Sequence, residues 1–380
     1  MKHNWKEIKL GSVLKYREGL PDADKFASGD IPIISKISFS NGKIDLHNDG
    51  ITNTKLIRVL PNDLVISGIN AEKGAISIND FDKEIAATIH YSAYYPMNGQ
   101  TDLKYIFYYL KSAVFQNYLK FTLADGIKTE LKPKRFLSLT IPLPPFEEQQ
   151  SIISKIEEVK NKLERIKQLR TEQTKGINNL LFSKYTELIE DAEWLPMKEV
   201  APIIRRDVEL NEEALYPELG IRCFGKGTFH KPALTGLEVA TKKIFQIKQG
   251  DLVFSNVFAW EGGIAVATEE DNGRYGSHRF ISCVADKEKT LEEFLCFHFL
   301  SPKGMEDINA CSPGGAGRNK TLGLDKLMKI KIPVPDITLQ KEFVELLHKV
   351  TAIKNHHTET EKELNELLPS LLDKAFKGEL

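Results

Sequence analysis

Four stretches of this 380-residue sequence carry residue types that could do chemistry. Gly314-Gly315-Ala316-Gly317-Arg318-Asn319-Lys320-Thr321 approaches a P-loop, in which backbone amides cradle phosphates while a lysine and a hydroxyl serve phosphate and magnesium. Asn319 stands where that loop requires glycine, the preceding Leu291 to Leu300 reads as helix rather than strand, and the first half of the chain has no such string. Leu143-Pro144-Pro145-Phe146 has the outline of an Asn/Asp-Pro-Pro-aromatic motif, whose leading polar side chain binds the exocyclic amine of a flipped base. Leu143 has no polar group to offer. His356 and His357 are adjacent on a helical stretch and would point to different sides of it, so they read as solvated rather than as a metal pair. Pro21-Asp22 could open a nuclease carboxylate cluster, but no acidic-x-Lys follows at motif distance. HExxH, GxSxG, a glycine-rich strand-turn-helix and paired Cys/His clusters are absent from the sequence. Cys223, Cys283, Cys296 and Cys311 lack CxxC spacing, which fits reduced thiols. The expectation is a chain with no catalytic residue, no cofactor-binding residue and no metal ligand of its own.

What remains is binding. Lys and Arg number 52 against 53 Asp and Glu, so the total shows none of the basic excess usual in a DNA-binding domain. Locally the balance differs: residues 1–140 hold 19 basic and 15 acidic residues, and the stretch Lys120 to Arg135 holds five cations against Asp125 and Glu130. In the second half the candidate cations are Arg222, Lys226, Lys231, Arg274, Arg279, Arg318 and Lys320, mostly in Gly-rich stretches that could approach a phosphate backbone closely. Taken singly each reads as an ordinary solvated side chain. Their recurrence in matching stretches is what marks them. No apolar run approaches the length of a membrane span and the N-terminus has no apolar core behind its charge, so we expect no membrane association and a cytoplasmic protein.

The elements that must position these groups are written twice. Trp5-Lys6-Glu7-Ile8-Lys9 can be laid over Trp194-Leu195-Pro196-Met197-Lys198, and Asp63-Leu64-Val65-Ile66-Ser67 over Asp251-Leu252-Val253-Phe254-Ser255. Ala71, Gly74, Ile76 and His90 then fall on Ala259, Gly262, Ile264 and His278. Gly126 to Leu131 lies over Gly317 to Leu322, Ile141-Pro142-Leu143-Pro144 over Ile332-Pro333-Val334-Pro335, and Gln149, Val159 and Tyr185 over Gln340, Val350 and Phe376. The unit is about 190 residues long. Its first part mixes short β-branched runs (Asp63 to Ser67, Ala75 to Ile78; Asp251 to Ser255, Gly263 to Ala267) with helical stretches (Leu103 to Phe121; Leu291 to Leu300), an α/β or α+β domain. Its second part follows a proline stop and reads as one long helix.

Spacings of three and four run through Ile152, Ile153, Ile156, Val159, Leu163, Ile166 and Leu169, then Ile177, Leu180 and Leu181, in the first helix. They recur through Phe343, Val344, Leu347, Val350 and Ile353, then Leu364, Leu367, Leu368, Leu371 and Leu372, in the second. The lengths suit a coiled-coil pair, and the polar middles (Arg170 to Gly176; Lys354 to Lys362) read either as a solvated, loosened seam or as a place where a partner docks. The expected fold is therefore α/β (α+β) with internal duplication and pseudo-two-fold symmetry: two globular domains, 1–145 and 194–336, separated by two long antiparallel coiled-coil helices, 146–193 and 337–380. A helix of roughly 40 residues would hold the domains about 60 Å apart.

The paired Asp-Leu-Val-x-Ser strands, the Gly-x-x-x-x-Leu loops, the Ile-Pro-x-Pro stops with their following Gln, and the closing Leu368-Pro369-Ser370-Leu371-Leu372-Asp373-Lys374-Ala375-Phe376-Lys377-Gly378-Glu379-Leu380 together resemble the specificity subunit of type I restriction-modification systems. The resemblance covers essentially the whole chain. It implies two target-recognition domains that each read one half of a split site in double-stranded DNA, and a helical spacer that sets the distance between half-sites. It implies one such subunit per complex, binding two methyltransferase (M) subunits that use S-adenosylmethionine to methylate adenine, joined by motor-nuclease (R) subunits for cleavage. By that analogy the DNA-contacting candidates are Lys36, Asn41, Asn70, Lys73, Lys128 and Lys132 in the first domain. Arg222, Lys226, Asn256, Trp260, His278, Arg279, Arg318, Asn319 and Lys320 are those of the second. Arg, Lys and Asn side chains can read base edges while their neighbours hold the phosphates. The helix positions Ile156, Val159, Leu163, Ile166, Leu347, Val350, Leu364 and Leu368 are the partner-binding candidates. Two readings of other classes stand beside this one: a coiled-coil protein-binding scaffold with no DNA role, and a solitary methyltransferase that would have to bind S-adenosylmethionine by itself.

Overall fold

The computed structural model describes residues 5–47, 54–97, 99–123, 130–240, 242–314 and 320–379. Lys128, Arg318 and Asn319 lie outside them, as does most of the P-loop-like string. The first globular part runs β1 (Lys6–Lys9), β2 (Leu14–Tyr16), α1 (Ala23–Ala27), β3 (Ile33–Ile37), β4 (Ile44–His47), β5 (Leu56–Val59), β6 (Leu64–Ser67), β7 (Ile76–Ile78), β8 (Ile85–Thr88) and β9 (Tyr91–Pro96). It continues through α2 (Leu103–Lys111), α3 (Ala113–Leu123), α4 (Pro133–Ser138) and β10 (Thr140–Leu143) into the long α5 (Phe146–Ile189). The second part runs β11 (Glu193–Pro196), α6 (Met197–Val200), β12 (Ile203–Ile204), β13 (Leu215–Ile221), β14 (Thr228–Thr235), α7 (Gly236–Val239), β15 (Ile244–Gln246), β16 (Leu252–Ser255), β17 (Ile264–Val266), β18 (Tyr275–Ser277) and β19 (Phe280–Cys283). It ends with α8 (Glu292–Leu300), α9 (Pro302–Ala310), α10 (Leu324–Leu327), β20 (Lys331–Val334) and the long α11 (Ile337–Lys377).

The duplication holds strand for strand. In the first part the sheets are β2-β9-β6-β7, β4-β3-β8-β5 and the ribbon β1-β10; in the second they are β12-β19-β16-β17, β14-β13-β18-β15 and β11-β20. Each middle sheet contains one parallel pair, β3 with β8 and β13 with β18. The runs anticipated from Asp63 to Ser67 and Asp251 to Ser255 are the central strands β6 and β16. Alternation along them divides two cores. Leu64 and Ile66 face the helices α2 and α3, while Val65 faces the second sheet with Ile34, Ile57 and Ile85. Leu252, Val253 and Phe254 repeat the division. The acid that opens each strand is buried and held bidentately by an arginine: Arg17 Nη2 donates to Asp63 at 2.7 Å and Arg206 Nη1 to Asp251 at 2.6 Å. Asp63 also accepts from the backbone N–H of Leu60, and Asp251 from that of Lys248, which closes the turn before the strand.

Strand pairing revises two of the sequence landmarks. Pro142 pairs Glu7 while Pro333 pairs Trp194, so Trp194 occupies the place of Glu7, and Trp5 lies before its strand. Ser67 pairs Tyr91 and Ser255 pairs Phe280, which puts His90 opposite Arg279 in the repeat, one residue beyond His278. The single helix expected over Leu103 to Phe121 is two, broken at Ser112, whose extended backbone (ψ 151°) ends α2 while its hydroxyl donates to Tyr109 O. Ser301 makes the same break after α8.

The chain divides into two compact units, residues 1–170 with 357–380 and residues 171–356. Each unit is thus one globular part plus stretches of both long helices. In the first, α5 and α11 run antiparallel: Lys167 Nζ donates to Asn365 at 2.7 Å and Arg170 to Thr360 Oγ1 at 2.8 Å. In the second, Lys354 Nζ reaches Asn178 at 2.8 Å. In the first unit Arg170 is half-buried and also paired to Glu361. The helix ends are not bare spacer. Phe376 of α11 packs edge-on against Tyr105 and Tyr109 in the first core, and Tyr185 of α5 packs among Phe294, Phe297 and Phe343 in the second.

A buried carboxamide fixes the start of each helix. Gln149 accepts from the Asp102 N–H at 2.9 Å and donates to Pro144 O and Gln100 O; Gln340 accepts from the Leu291 N–H and Thr290 Oγ1 and donates to Lys289 O and Pro335 O. This is the physical content of the Ile-Pro-x-Pro…Gln signature. Gln149→Leu or Gln340→Leu leaves several buried backbone groups unpaired and is expected to cost about 2–4 kcal/mol in urea unfolding of the affected unit.

His298 faces the Tyr185 hydroxyl at 2.5 Å, and burial pushes its pKa down to about 4. A histidine kept neutral in the fold binds fewer protons than in the unfolded chain between its folded and ordinary values. Stability in this unit should therefore be full above about pH 6.5 and fall as the pH drops toward 4, by on the order of 3 kcal/mol. His298→Gln should flatten that dependence when unfolding midpoints are compared at pH 7.5 and 4.5.

Candidate nucleic-acid interface

The second unit gathers four loops. The loop 222–227 between β13 and β14 docks on the loop 256–263 between β16 and β17 through two backbone bonds, Phe224 N–H to Glu261 O at 2.8 Å and Gly225 N–H to Gly262 O at 2.9 Å. Asn256 N–H donates to Arg279 O at 2.8 Å, and Leu322 N–H to Asn256 O at 2.8 Å, which ties in the β18–β19 turn and the segment entering α10. The first unit repeats the last two bonds: Gly68 N–H to His90 O at 2.8 Å and Leu131 N–H to Gly68 O at 2.9 Å. The same backbone frame thus carries Gly68, His90 and Leu131 in one unit and Asn256, Arg279 and Leu322 in the other.

Side chains on these frames are arranged for anions and planar rings. Lys226 lies 5.9 Å from the Phe224 ring centroid, Lys320 lies 5.0 Å from that of Trp260, and the Arg222 guanidinium lies over Phe229 while donating to Thr228 O. Such stacking leaves the cationic end groups facing outward at modest cost. The Trp260 N–H is spent on Val257 O at 2.9 Å, so its ring face rather than its donor is what it presents. His278 and Arg279 are exposed at their turn, and Arg205, stacked on Phe245, holds the His278 and Phe280 carbonyls beneath them. Below the loop 222–227, the Asp271 carboxyl is buried, which opposes its charge. Hydrogen bonds from the Thr268 N–H, Thr228, His230 and the Thr268 hydroxyl outweigh that and hold its pKa below the ordinary value.

In the first unit Lys36 is exposed beside Asp45 at 3.4 Å, and Asn41 Oδ1 accepts from Lys43 N–H at the tip of the β3–β4 loop. Asn70 and Lys73 flank the turn before Gly74, and Lys132 is exposed at the start of α4. Lys111, not singled out from sequence, donates to Phe39 O at 2.6 Å and Gly74 O at 2.8 Å, and burial pushes its pKa down to about 8. Among the described residues no group of three or more His, Cys, Asp or Glu could hold a metal ion, and no helix is long and apolar enough to cross a membrane.

The profile of the type I restriction modification DNA specificity domain matches the chain twice, over residues 2–173 and 190–367. The chain belongs to that family. It is similar to the type I restriction enzyme MjaVIII specificity subunit of Methanocaldococcus jannaschii, at 24% identity over 410 residues, 99% of this chain and 93% of that protein. It is also similar to the EcoKI specificity subunit of Escherichia coli, at 22% identity over 389 residues, 92% of this chain and 82% of that one. Two solved structures share the fold at 19% identity. One, described as the structural basis of complex assembly and conformational transition of the type I R-M system, has a TM-score of 0.67, covering 99% of this chain and 98% of its own. The other, the HsdS subunit from Thermoanaerobacter tengcongensis, has a TM-score of 0.60, covering 100% and 98%.

In this type I specificity-domain protein the helix candidates differ in burial. Ile156, Leu163 and Val350 are buried, Ile156 in the first core; Val159, Leu347, Leu364 and Leu368 are half-buried. Of the partner candidates only Ile166 is exposed; the stripe positions Leu169 and Leu367 in the same unit and Leu180 and Ile353 in the other are exposed too, as is Phe182. The a/d-like spacing is thus covered by the chain itself at some positions and left exposed at others.

Phe224 was also missed. It is 74% exposed and held at φ 62°, a left-handed conformation that a bulky residue adopts at a cost of about 1–2 kcal/mol. Phe224→Gly should leave the stability of the unit unchanged or raise it by up to about 1 kcal/mol in urea unfolding. Loss of the ring should at the same time weaken duplex binding, a split that Phe224→Ala should not show on the stability side.

Proposed function

We propose that this chain is the non-catalytic DNA-reading subunit of a type I restriction-modification complex, that its two loop clusters each read one half of a split duplex target, and that S-adenosylmethionine chemistry belongs to methyltransferase subunits docked on its helices. The observation that carries this reading is the shared backbone frame: identical bonds through Gly68 and Asn256 support different side chains in the two units. One scaffold with two sets of side chains is what reading two unlike half-sites requires. Exposed Lys226 and Arg279 supply phosphate or guanine contacts, and the first unit contributes Asn41, Asn70, Lys73 and Lys132. The exposed apolar side chains Leu180, Phe182 and Ile353, and Ile166, Leu169 and Leu367, are the surface proposed for the two M subunits. R subunits join the assembly through this core complex.

The test is equilibrium binding of a defined duplex by the chain together with its methyltransferase, at several salt concentrations, with the target taken from methylome sequencing. A bipartite methyladenine motif is expected, with steep salt dependence that the methyltransferase alone lacks. Lys226→Ala and Arg279→Ala should each reduce the magnitude of the log–log salt slope by about 1 if they bind phosphate, or cost about 1–3 kcal/mol at one base pair if they read an edge. A complex whose duplex affinity and sequence preference are those of the methyltransferase alone would leave only the scaffold reading. Phe182→Asp should lower methyltransferase assembly by size-exclusion analysis while the free chain stays folded.

A further inference from the structure

We infer that Lys111 is a positioning residue for recognition of the first half-site, joining the loop 38–43 to the loop 68–75 so that the two read DNA as one surface. The inference rests on the function proposed above and adds to it the part that sets loop geometry in one half only.

Lys111 is the last residue of α2, and its ammonium is bonded to one carbonyl from each loop, Phe39 O at 2.6 Å and Gly74 O at 2.8 Å. The loops meet closely there. A Cβ added at Gly74, which has φ +86°, would stand 2.9 Å from Phe39 O, so the approach leaves no room for a side chain. The second unit solves the same problem differently. Its equivalent helix α8 ends on Leu300, before Ser301 as Lys111 stands before Ser112. There the Leu300 methyls lie under Gly225 and Gly262, 2.7 and 3.4 Å from where a Cβ on each would stand, and the loops bond directly through Phe224 N–H and Gly225 N–H. Among the described residues those two backbone bonds have no counterpart between the loops of the first unit. One ammonium therefore does in the first unit what two amides over a leucine do in the second. Asn41 sits on one of the joined loops, and Asn70 and Lys73 on the other. Without the ammonium Phe39 O loses its donor, Gly74 O keeps only the Ile76 N–H, and the loops lose their common anchor.

The experiment compares Lys111→Met and Lys111→Arg with the unaltered chain, each assembled with its methyltransferase, on duplexes altered by single base pairs in either half of the target. Lys111→Met should lose about tenfold discrimination at one half-site, with the other half-site read as before, and Lys111→Arg should retain most of it. Hydrogen exchange of the free chains gives a readout independent of DNA. Lys111→Met should speed exchange at residues 38–43 and 68–75 at least tenfold and leave 222–227 and 256–262 unchanged. If the unaltered complex discriminates at both half-sites and Lys111→Met does so equally well, the inference is wrong while the proposed function stands. Equal loss at both half-sites, or accelerated exchange throughout the chain, would likewise overturn it in favour of a general structural role. If the unaltered complex shows no sequence preference at all, the proposed function fails and this inference with it.

Discussion

The structure depends on a constraint met once in each unit: a carboxamide with no exposure, Gln149 or Gln340, that pairs with backbone groups from two segments at once. One set belongs to the proline stop that precedes the long helix, the other to the entry of the globular part's own helix. A buried amide satisfied on both its oxygen and its nitrogen cannot shift without stranding partners, so the direction in which each long helix leaves its domain is set at its first turn. The proline stop by itself would end a strand and permit a helix, but would leave that direction open. Within their own units Tyr185 and Phe376 each pack as an aromatic plug in a core.

These features were unequally legible in the sequence. The duplication, the central strands and the two long helices were readable because each is dictated by local pattern: β-branched runs, a proline stop and spacings of three and four. The buried pair of Arg17 and Asp63 and its repeat, Arg206 and Asp251, had a visible signal, since both members recur at nearly the same offset. The slip of two residues at Trp5 and of one at His90 was invisible for a physical reason. A short strand tolerates a shifted flanking residue provided the alternation of its own faces is kept, so similarity of letters and equivalence of pairing part company at strand ends.

Which helix positions the chain covers itself was not legible for a related reason. An apolar stripe on a long helix reports that something covers it, without saying whether the cover is another molecule or the rest of the same chain. Here Ile156 belongs to the first core and Val350 to the second, while Leu169, Leu180 and Ile353 of the same stripe are left bare. Phe224 and Lys111 carried no pattern at all, because what distinguishes them is a backbone angle in one case and two carbonyls distant in sequence in the other.

The near-balance of 52 basic and 53 acidic residues acquires a meaning from this arrangement. A chain that held DNA by charge alone would need a large surplus of cations, because sequence-independent affinity comes from phosphate neutralisation. In this chain several cations are committed inward: Arg17 and Arg206 to buried acids, Arg205 to carbonyls under a turn, Lys111 to the joint between two loops. Others face outward, and among these Arg222 and Lys226 are stacked on rings. Positive charge spent on fixing loop geometry strengthens readout rather than grip, since an edge contact discriminates only when it is held in place. If the chain reads DNA as proposed, a near-balanced charge leaves much of the affinity to its partners, and the exposed apolar side chains Leu169, Leu180 and Phe182 are where that proposal is tested.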